Sequence, residues 1–321
     1  MSKHEHVWSW PIAGYLFLGG LGAGMAILAA VADIFFGLSF ILIPCILGSF
    51  VCLGLGSFLL IFELGRPLHF WRVFSKEKAI LTFGAWMVIA LMVFDVLYFS
   101  FWFASIPWSG VQGMRVVISG FCLILGCGVL LYTGIELSSM KARVFWNTPA
   151  LPIVFALSGL LSGAAANYLI VSVWPYAAWS AVSVPVDVFD IAATAMLARS
   201  SLLLTTAILG VATLVGTFIY VIMMYTSSFT GARKAAERWL SGRYALAFWG
   251  GFIAIGIGIP LILLFFSLEI SSTLAALCII FGGVVLRFLV VYCDDRRELP
   301  GEALYWQRLP EGDETFLKCD W

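Results

Sequence analysis

The chain has 321 residues, of which 62% are hydrophobic and only 11% are charged, and its formal net charge is zero. Soluble domains carry about 25% charged residues, so the composition excludes an ordinary soluble protein and indicates one that crosses a membrane several times. The zero net charge also gives no general attraction to nucleic acid. We therefore expect membrane lipid, and not nucleic acid, around this protein.

Eight apolar windows are long enough to cross a hydrocarbon core of about 30 Å, which takes about 20 helical residues. They lie at roughly 11–37, 40–64, 80–103, 114–139, 150–173, 200–227, 244–266 and 270–292. The sequence therefore predicts an all-α integral membrane protein with eight transmembrane helices over residues 1–293 and a polar C-terminal tail over 294–321. In the connection 174–199, we expect an interfacial helix over 188–198 that runs into the sixth span.

A faint internal repeat divides the transmembrane part into halves of about 1–139 and 140–293. In each half, a tryptophan three residues before a proline is followed by two glycines four residues apart. The residues are Trp8, Pro11, Gly20 and Gly24 in the first half and Trp146, Pro149, Gly159 and Gly163 in the second. Two four-helix bundles would produce this pattern, and so would chance similarity between two glycine-containing helices. Thr148 and Pro149 also predict the start of the fifth helix.

Basic residues are unevenly distributed between the two membrane faces. With eight spans, both termini and the loops 65–79, 140–149 and 228–243 lie on one face, called here the terminal face, which holds most of the eighteen lysines and arginines. The opposite face has only Arg115 and Arg199. The positive-inside rule places the terminal face in the cytoplasm. Its basicity has two explanations, topology with headgroup contact or a docking surface for a soluble partner.

Histidine and cysteine usage limits the redox chemistry of the protein. The three histidines, His4, His6 and His69, lie outside the spans, so no pair can ligate a haem across the membrane. The seven cysteines contain no CxxC pair and are typical of small buried hydrophobic residues. We therefore expect no haem, no iron–sulfur cluster and no metal site in this protein, and any electron chemistry needs a partner.

Ionisable groups inside spans are costly and are functional candidates by default. Tyr132 and Glu136 are four residues apart and therefore share one helix face. The candidates in the half of the membrane nearer the terminal face are Tyr15, Glu63, Tyr132, Glu136 and Arg287. With walls formed by Phe17, Phe62 and Trp71, they would give a quinone apolar surroundings, hydrogen-bond donors for its carbonyls and a carboxylate for proton exchange.

These residues also have a structural explanation. Glu63 and Arg66 would cap the end of the second helix, and Tyr15 and Tyr132 would belong to the aromatic belt at the membrane interface. The residue pattern leaves the two explanations open.

The other half of the membrane contains a second group of polar residues. Candidates for a proton path are Asp33, Asp95, Arg115, Asp187, Asp190 and Arg199, with Asn167 nearby. Asp95 is the deepest, about two helical turns from the end of its span, and it has to be paired, hydrated or protonated. One interpretation is a proton route toward the pocket. The interpretation we favour is a buried ion pair, Asp95–Arg115 or Asp33–Arg199, that holds helices together.

Three stretches together resemble one family. They are Trp8–Gly24 (WSWPIAGYLFLGGLGAG), Phe62–Trp86 (FELGRPLHFWRVFSKEKAILTFGAW) and Leu131–Ala166, which begins with the YTG motif. Over roughly residues 8–293, the sequence is similar to the NrfD/PsrC family, the integral membrane subunits of polysulfide reductase and related respiratory complexes. The resemblance implies eight spans, no bound cofactor and a site for a quinone, menaquinone or ubiquinone. It also implies a docked ferredoxin-like iron–sulfur subunit that exchanges electrons with a molybdopterin catalytic subunit or a multihaem cytochrome.

The resemblance also suggests roles for individual residues. Tyr15 matches a polar quinone contact in the first span, and Glu63, before Leu64-Gly65-Arg66-Pro67, matches an acidic or histidine residue of quinol chemistry. Tyr132 matches the site tyrosine, and Arg287 is a weaker match. Several family complexes carry their soluble subunits outside the cytoplasm, whereas the charge distribution places the terminal face inside. Either the partner here is cytoplasmic or docking overrides the charge rule.

Our first hypothesis is the quinone-reactive membrane anchor of a multi-subunit respiratory oxidoreductase in a bacterial or archaeal cytoplasmic membrane. Glu63 would accept and donate protons, Tyr15 and Tyr132 would donate hydrogen bonds to the quinone, and Glu136 and Arg287 would give electrostatic support. The terminal substrate is chosen by a subunit other than this one.

Two further hypotheses follow from the intramembrane carboxylates. A secondary transporter usually breaks helices at mid-membrane, and the interior candidate for such a break is Gly258-Ile259-Pro260. Alternatively, the half of the membrane with Asp33 and Asp95 would couple quinone chemistry to proton translocation.

Overall fold

The computed structural model describes residues 10–37, 39–63, 80–103, 105–141, 143–174, 188–266 and 269–293. Its helices are α1 (Trp10–Phe36), α2 (Ser39–Glu63), α3 (Ile80–Ser100), α4 (Gln112–Ser138), α5 (Ala150–Val173), α6 (Val188–Tyr225), α7 (Thr230–Leu240), a π-helix π1 (Leu246–Gly258), α8 (Ile259–Phe265) and α9 (Glu269–Tyr292). With π1 and α8 counted as one, eight helices in these ranges are long and apolar enough to cross a membrane. The predicted all-α membrane fold is confirmed. Helices dominate because they satisfy every backbone polar group within one segment, as a bilayer requires.

Two predictions at helix ends can be compared with the structure. The predicted interfacial helix over 188–198 is continuous with the sixth span in α6, which has 38 residues. Helix α5 begins at Ala150, just after the predicted Pro149, and the Ala150 N–H donates to Thr148 Oγ1 at 3.3 Å. The predicted start, with Thr148 as N-cap and Pro149 as first helical residue, is thus one residue early: Pro149 is the N-cap, and Thr148 still supplies an acceptor to the first turn.

Glycines at the centre of the fold allow α1 and α5 to pack backbone to backbone. A methyl group on Gly163 would meet the carbonyl carbon of Gly24 at 2.5 Å, and one on Gly159 would meet the carbonyl oxygen of Gly20 at 3.0 Å. Close packing of this kind holds the two helices together, because in a bilayer apolar side chains gain nothing from leaving lipid for protein. The two glycine pairs of the sequence repeat thus lie against each other in the structure.

Helix α1 contacts both halves of the sequence. It packs on α2 and α4 from its own half and on α5 and α9 from the other half. The division into two four-helix bundles at about residue 139 stays a prediction.

The seventh span changes its winding at Gly258. Pro260 has no N–H, and just before it the Ile259 N–H donates to Ala254 O, five residues back, as in a π-helix. The wider π1 lies against α9 at Gly256, where an added methyl group would meet Gly282 Cα at 2.7 Å. The helix therefore continues through Gly258-Ile259-Pro260.

An aromatic layer lies below the terminal face, between the connections that follow α4 and α6. The Trp146 indole donates to Val290 O at 2.8 Å and the Tyr220 hydroxyl donates to Phe145 O at 2.6 Å. Trp239 of the amphipathic helix α7 packs on Phe145, with ring centroids 5.2 Å apart. These contacts fix the ends of α4, α5, α6 and α9, and with them the side chains that lie one or two turns deeper.

Candidate functional site

Two tyrosines and one glutamate meet in the half of the membrane nearer the terminal face. Tyr15 comes from the second turn of α1, and Tyr132 and Glu136 come from the last two turns of α4. Tyr15 and Tyr132 are each 4% exposed and belong to one buried cluster. The structure therefore brings together three of the five residues predicted for this site.

The polar ends of these three side chains are close to one another. The Tyr132 phenol interacts with both the Tyr15 phenol and the Glu136 carboxyl group, and thus lies between them. Among the described residues, Tyr132 Oη and Glu136 Oε2 are buried without a hydrogen-bond partner. A buried polar atom without a partner costs about 1–3 kcal/mol, so this position favours a ligand that can complete its bonding.

The Tyr132 ring packs against α3, a helix to which the sequence patterns assigned no part of the site. Its hydroxyl end rests on Gly84 of α3, where any added methyl group would overlap the ring. The glycine in the stretch Thr82-Phe83-Gly84 gave no signal by itself, because the partner of α3 cannot be read from the sequence.

Arg287 lies next to this site as a connection between three helices. It is 2% exposed and donates to Leu16 O of α1 at 3.4 Å, to Ser158 Oγ of α5 at 2.8 Å and to Phe155 O at 3.0 Å. Its guanidinium carbon also lies 3.8 Å from the centroid of the Phe155 ring. Through Leu16, Arg287 holds the turn of α1 that carries Tyr15.

The four other residues that the sequence placed in the pocket are Glu63, Trp71, Phe62 and Phe17. Glu63 is the last residue of α2, but its side chain lies outside the described residues, as does Trp71. Phe62 is wrong as a buried wall, because it is 61% exposed and packs on Phe58 of its own helix. Phe17 is buried, but it packs toward Gly283 of α9 in a different cluster from Tyr15.

In the opposite half of the membrane, Asp33 is neutralised by a residue of the neighbouring helix. Arg115 Nη2 lies 3.2 Å from Asp33 Oδ1, and the Tyr98 hydroxyl donates to Asp33 Oδ2 at 2.7 Å. The sequence-based pairs Asp95–Arg115 and Asp33–Arg199 are therefore wrong, although the expected type of contact, a buried ion pair between helices, is present. The reason is that α1 packs on α4, which carries Arg115 in its first turn.

Arg199 interacts with α5 and α9, and not with Asp33 as predicted. It is in α6, which packs mainly on α5, and its Nη1 pairs with Glu269 Oε1 at the start of α9 at 3.1 Å. Its Nη2 donates to Ser172 O at the end of α5 at 3.2 Å. Asp187 lies outside the described residues, and Asp190 is in the first turn of α6 with its side chain outside them.

Asp95 is fully buried, and its neighbours are uncharged. Ser49 of α2 donates to Asp95 Oδ2 at 2.8 Å, and the Cys122 thiol of α4 adjoins the same carboxyl group. Asp95 Oδ1 is without a hydrogen-bond partner among the described residues. One further buried polar residue, Asn167, donates to Met25 O at 3.2 Å and ties α5 to α1.

An apolar stretch separates the two polar regions. Along α4, Cys122 and Tyr132 are ten residues apart, or about 15 Å. The α3–α4 interface between them is filled by the buried side chains Val88, Leu91 and Val129. Across the described ranges, no group of three or more His, Cys, Asp or Glu side chains could hold a metal ion.

Comparisons with known proteins agree on one family. Residues 1–295 match the family model described as "Polysulphide reductase, NrfD". The sequence is 30% identical to the C subunit of polysulfide reductase from Wolinella succinogenes over 315 residues, which cover 89% of this protein and 93% of that subunit. It is 28% identical to a protein NrfD homolog of Haemophilus influenzae over an alignment 322 residues long, gaps included, which covers 89% of this protein and 94% of the homolog. It is also 30% identical to protein NrfD of Escherichia coli over 187 residues, which cover 50% of this protein and 58% of that relative.

Proposed function

We propose that this protein, which belongs to the polysulphide reductase NrfD family and crosses the bacterial inner membrane several times, is the quinone-reactive subunit of a respiratory oxidoreductase complex. It exchanges electrons between a membrane quinone and a docked iron–sulfur subunit. That subunit connects it to a molybdopterin catalytic subunit or a multihaem cytochrome, which selects the terminal substrate.

The observation that carries this proposal is the meeting of Tyr15, Tyr132 and Glu136 inside an apolar bundle. A quinone ring needs apolar surroundings with a few convergent polar groups. Tyr132 Oη supplies a buried donor without a partner among the described residues. The site lies about 7 Å along α1 from Trp10, which is close to the terminal face. That position suits electron exchange with a partner docked on this face.

The chemistry requires protons as well as electrons. Oxidation of a quinol to a quinone releases two electrons and two protons, and the electrons pass to the iron–sulfur subunit; reduction runs in reverse. Tyr15 and Tyr132 hold the head group by hydrogen bonds to its oxygens. Glu136 takes up and returns protons through Tyr132, which adjoins both Glu136 and Tyr15. Glu63, at the end of α2, accepts and donates protons in the same reaction, since the family resemblance matches it with a residue of quinol chemistry.

Replacement of the Tyr132 hydroxyl tests this proposal. Tyr132→Phe keeps the ring against Gly84 and removes the donor. In the assembled complex, we expect quinol-dependent turnover to fall at least tenfold, with normal amounts of complex in the membrane and normal activity with an artificial electron donor that bypasses the quinone.

The matched control is Tyr98→Phe, a second buried tyrosine, which donates to Asp33 in the opposite half of the membrane. This variant should lower stability and leave turnover per assembled complex within twofold. Normal quinol turnover in Tyr132→Phe would remove Tyr132 from the site. Equal losses in both variants would indicate a structural role for both tyrosines.

Asp95 supports a second candidate function, proton translocation coupled to the quinone reaction. A carboxyl group that is fully buried, neighboured by Ser49 and Cys122 and left with one free oxygen among the described residues can carry a proton at low cost. With the complex in sealed vesicles, Asp95→Asn should lower the number of protons moved per electron and leave uncoupled turnover unchanged. An unchanged ratio would show that Asp95 only joins α2, α3 and α4.

A further inference from the structure

Helices α3 and α4 run antiparallel, and at two places a large side chain of one helix packs against a glycine of the other. Tyr132 of α4 rests on Gly84 of α3, and three residues further along, Met87 of α3 rests on Gly128 of α4. Beyond these pairs, Phe94 and Phe121 stack with ring centroids 4.8 Å apart. Gly84 and Gly128 are thus equivalent positions in one interface, but only Gly84 supports a residue of the candidate site.

We propose that Gly84 is a positioning residue for the quinone reaction: its missing side chain creates the slot that holds the Tyr132 phenol between Tyr15 and Glu136. The contact itself is independent of function, whereas its importance for turnover rests on the proposed quinone site.

The geometry at Gly84 leaves the ring no room to adjust. The three atoms that a methyl group on Gly84 would overlap are Cζ, Cε1 and Cε2 of Tyr132, the hydroxyl end of a rigid ring. Tyr132 is buried on all sides, and interiors at native packing density do not absorb an extra methyl group without movement. The ring must therefore turn away from Tyr15 or push α3 and α4 apart.

The contact between Gly128 and Met87 can adapt to an added methyl group. A methyl group on Gly128 would overlap the terminal carbon of Met87. Methionine has three rotatable side-chain bonds and fills irregular space easily, so this end can move aside. Gly128→Ala therefore tests the same interface and the same substitution without displacing a site residue.

Gly84→Ala in the assembled complex tests the proposal. We expect kcat/KM for quinol to fall at least tenfold, with normal assembly and normal activity with an artificial donor that bypasses the quinone. Gly128→Ala should stay within twofold of the natural protein. Unchanged kcat/KM in Gly84→Ala, or equal losses in both alanine variants, would overturn the proposal.

A double-variant cycle separates the contact from the function. In a Tyr132→Leu background the ring is absent, so Gly84→Ala should cause no further loss of turnover and a smaller shift of the thermal unfolding midpoint than it causes alone. If Gly84→Ala fails to assemble by itself, the double variant should recover assembly. Additive unfolding shifts, or a double variant that fails to assemble while Tyr132→Leu assembles, would contradict the positioning contact. Unchanged turnover in Tyr132→Leu would instead contradict the quinone site, while the coupling in stability would still report the contact.

Discussion

Asp33 and Glu136, carboxyl groups in opposite halves of the membrane, each lie beside a tyrosine but differ in their pairing. In the opposite half, the Asp33 carboxylate receives Arg115 at 3.2 Å and the Tyr98 hydroxyl at 2.7 Å, so the charge is neutralised and the phenol is used. In the half nearer the terminal face, Tyr132 and Glu136 lie side by side, and each has a buried oxygen without a hydrogen-bond partner among the described residues. Both regions contain a tyrosine next to a carboxylate, but only one completes the bond.

We infer from this difference that the Asp33 contact joins helices and that the Tyr132–Glu136 contact is available to a ligand. Unpaired polar atoms are costly in an apolar medium, where water cannot take the place of a missing partner. Contacts that join helices lower this cost by pairing opposite charges and donors with acceptors, as Asp33 does with Arg115 and Tyr98. A region prepared for a ligand keeps donors and acceptors available. The incomplete pairing of Tyr132 and Glu136 therefore supports their place in the proposed quinone site.

The largest effect is expected for Glu136→Gln. This change keeps the size of the side chain and removes its ability to take up a proton. Loss of a positioned acid–base group lowers rates by about 10²–10⁴-fold, so quinol turnover should fall in this range while the complex assembles normally. Glu237→Gln, an exposed glutamate paired with Arg233 on α7, is the control and should be within twofold. Similar rates for the two variants would place Glu136 outside the reaction.

Arg115→Met should have its main effect on stability. Among the described residues, it leaves the buried Asp33 carboxylate with the Tyr98 hydroxyl as donor, and breaking a buried ion pair costs about 3–5 kcal/mol. We expect the lower end of this range, because the Arg115 side chain is 25% exposed. Unfolding in mixed detergent micelles measures the loss. Asp33→Asn in the same protein should restore most of it, and quinol turnover per folded molecule should stay unchanged. A loss of turnover at normal stability would extend the reaction site into this half.

Ser49→Ala should give the smallest effect. It removes the donor to Asp95 Oδ2 and should cost about 1–3 kcal/mol of unfolding free energy. Ser138→Ala provides the baseline, since the exposed Ser138 hydroxyl donates within its own helix turn, to Ile135 O at 3.1 Å. Equal unfolding free energies for the two variants would mean that the Ser49–Asp95 bond contributes nothing to joining α2 and α3.

The number and approximate limits of the spans could be predicted because hydropathy is a property of each segment alone. The same holds for Tyr132 and Glu136, whose spacing within α4 puts them on one face. The continuous helix α6 was also predictable, since its first turns after residue 188 carry the helical pattern.

Contacts between helices could not be predicted, because they depend on which helices are neighbours. Asp33 pairs with Arg115 because α1 packs on α4, whereas Arg199 on α6 finds Glu269 of α9. Gly84 was missed for the same reason, and Phe62 was placed in the pocket although its side chain is exposed. The residue type of a glycine or a phenylalanine in an apolar span does not identify the residue that it contacts.

The most direct test of the quinone site is to map where a quinone binds. A photoreactive quinone analogue, activated in membranes containing the assembled complex, should label peptides of α1 and α4 that include Tyr15 and Tyr132. Excess natural quinone should suppress the labelling, and Tyr132→Phe should weaken it. Labelling confined to other helices, with α1 and α4 unmodified, would contradict a quinone site between the two tyrosines and Glu136.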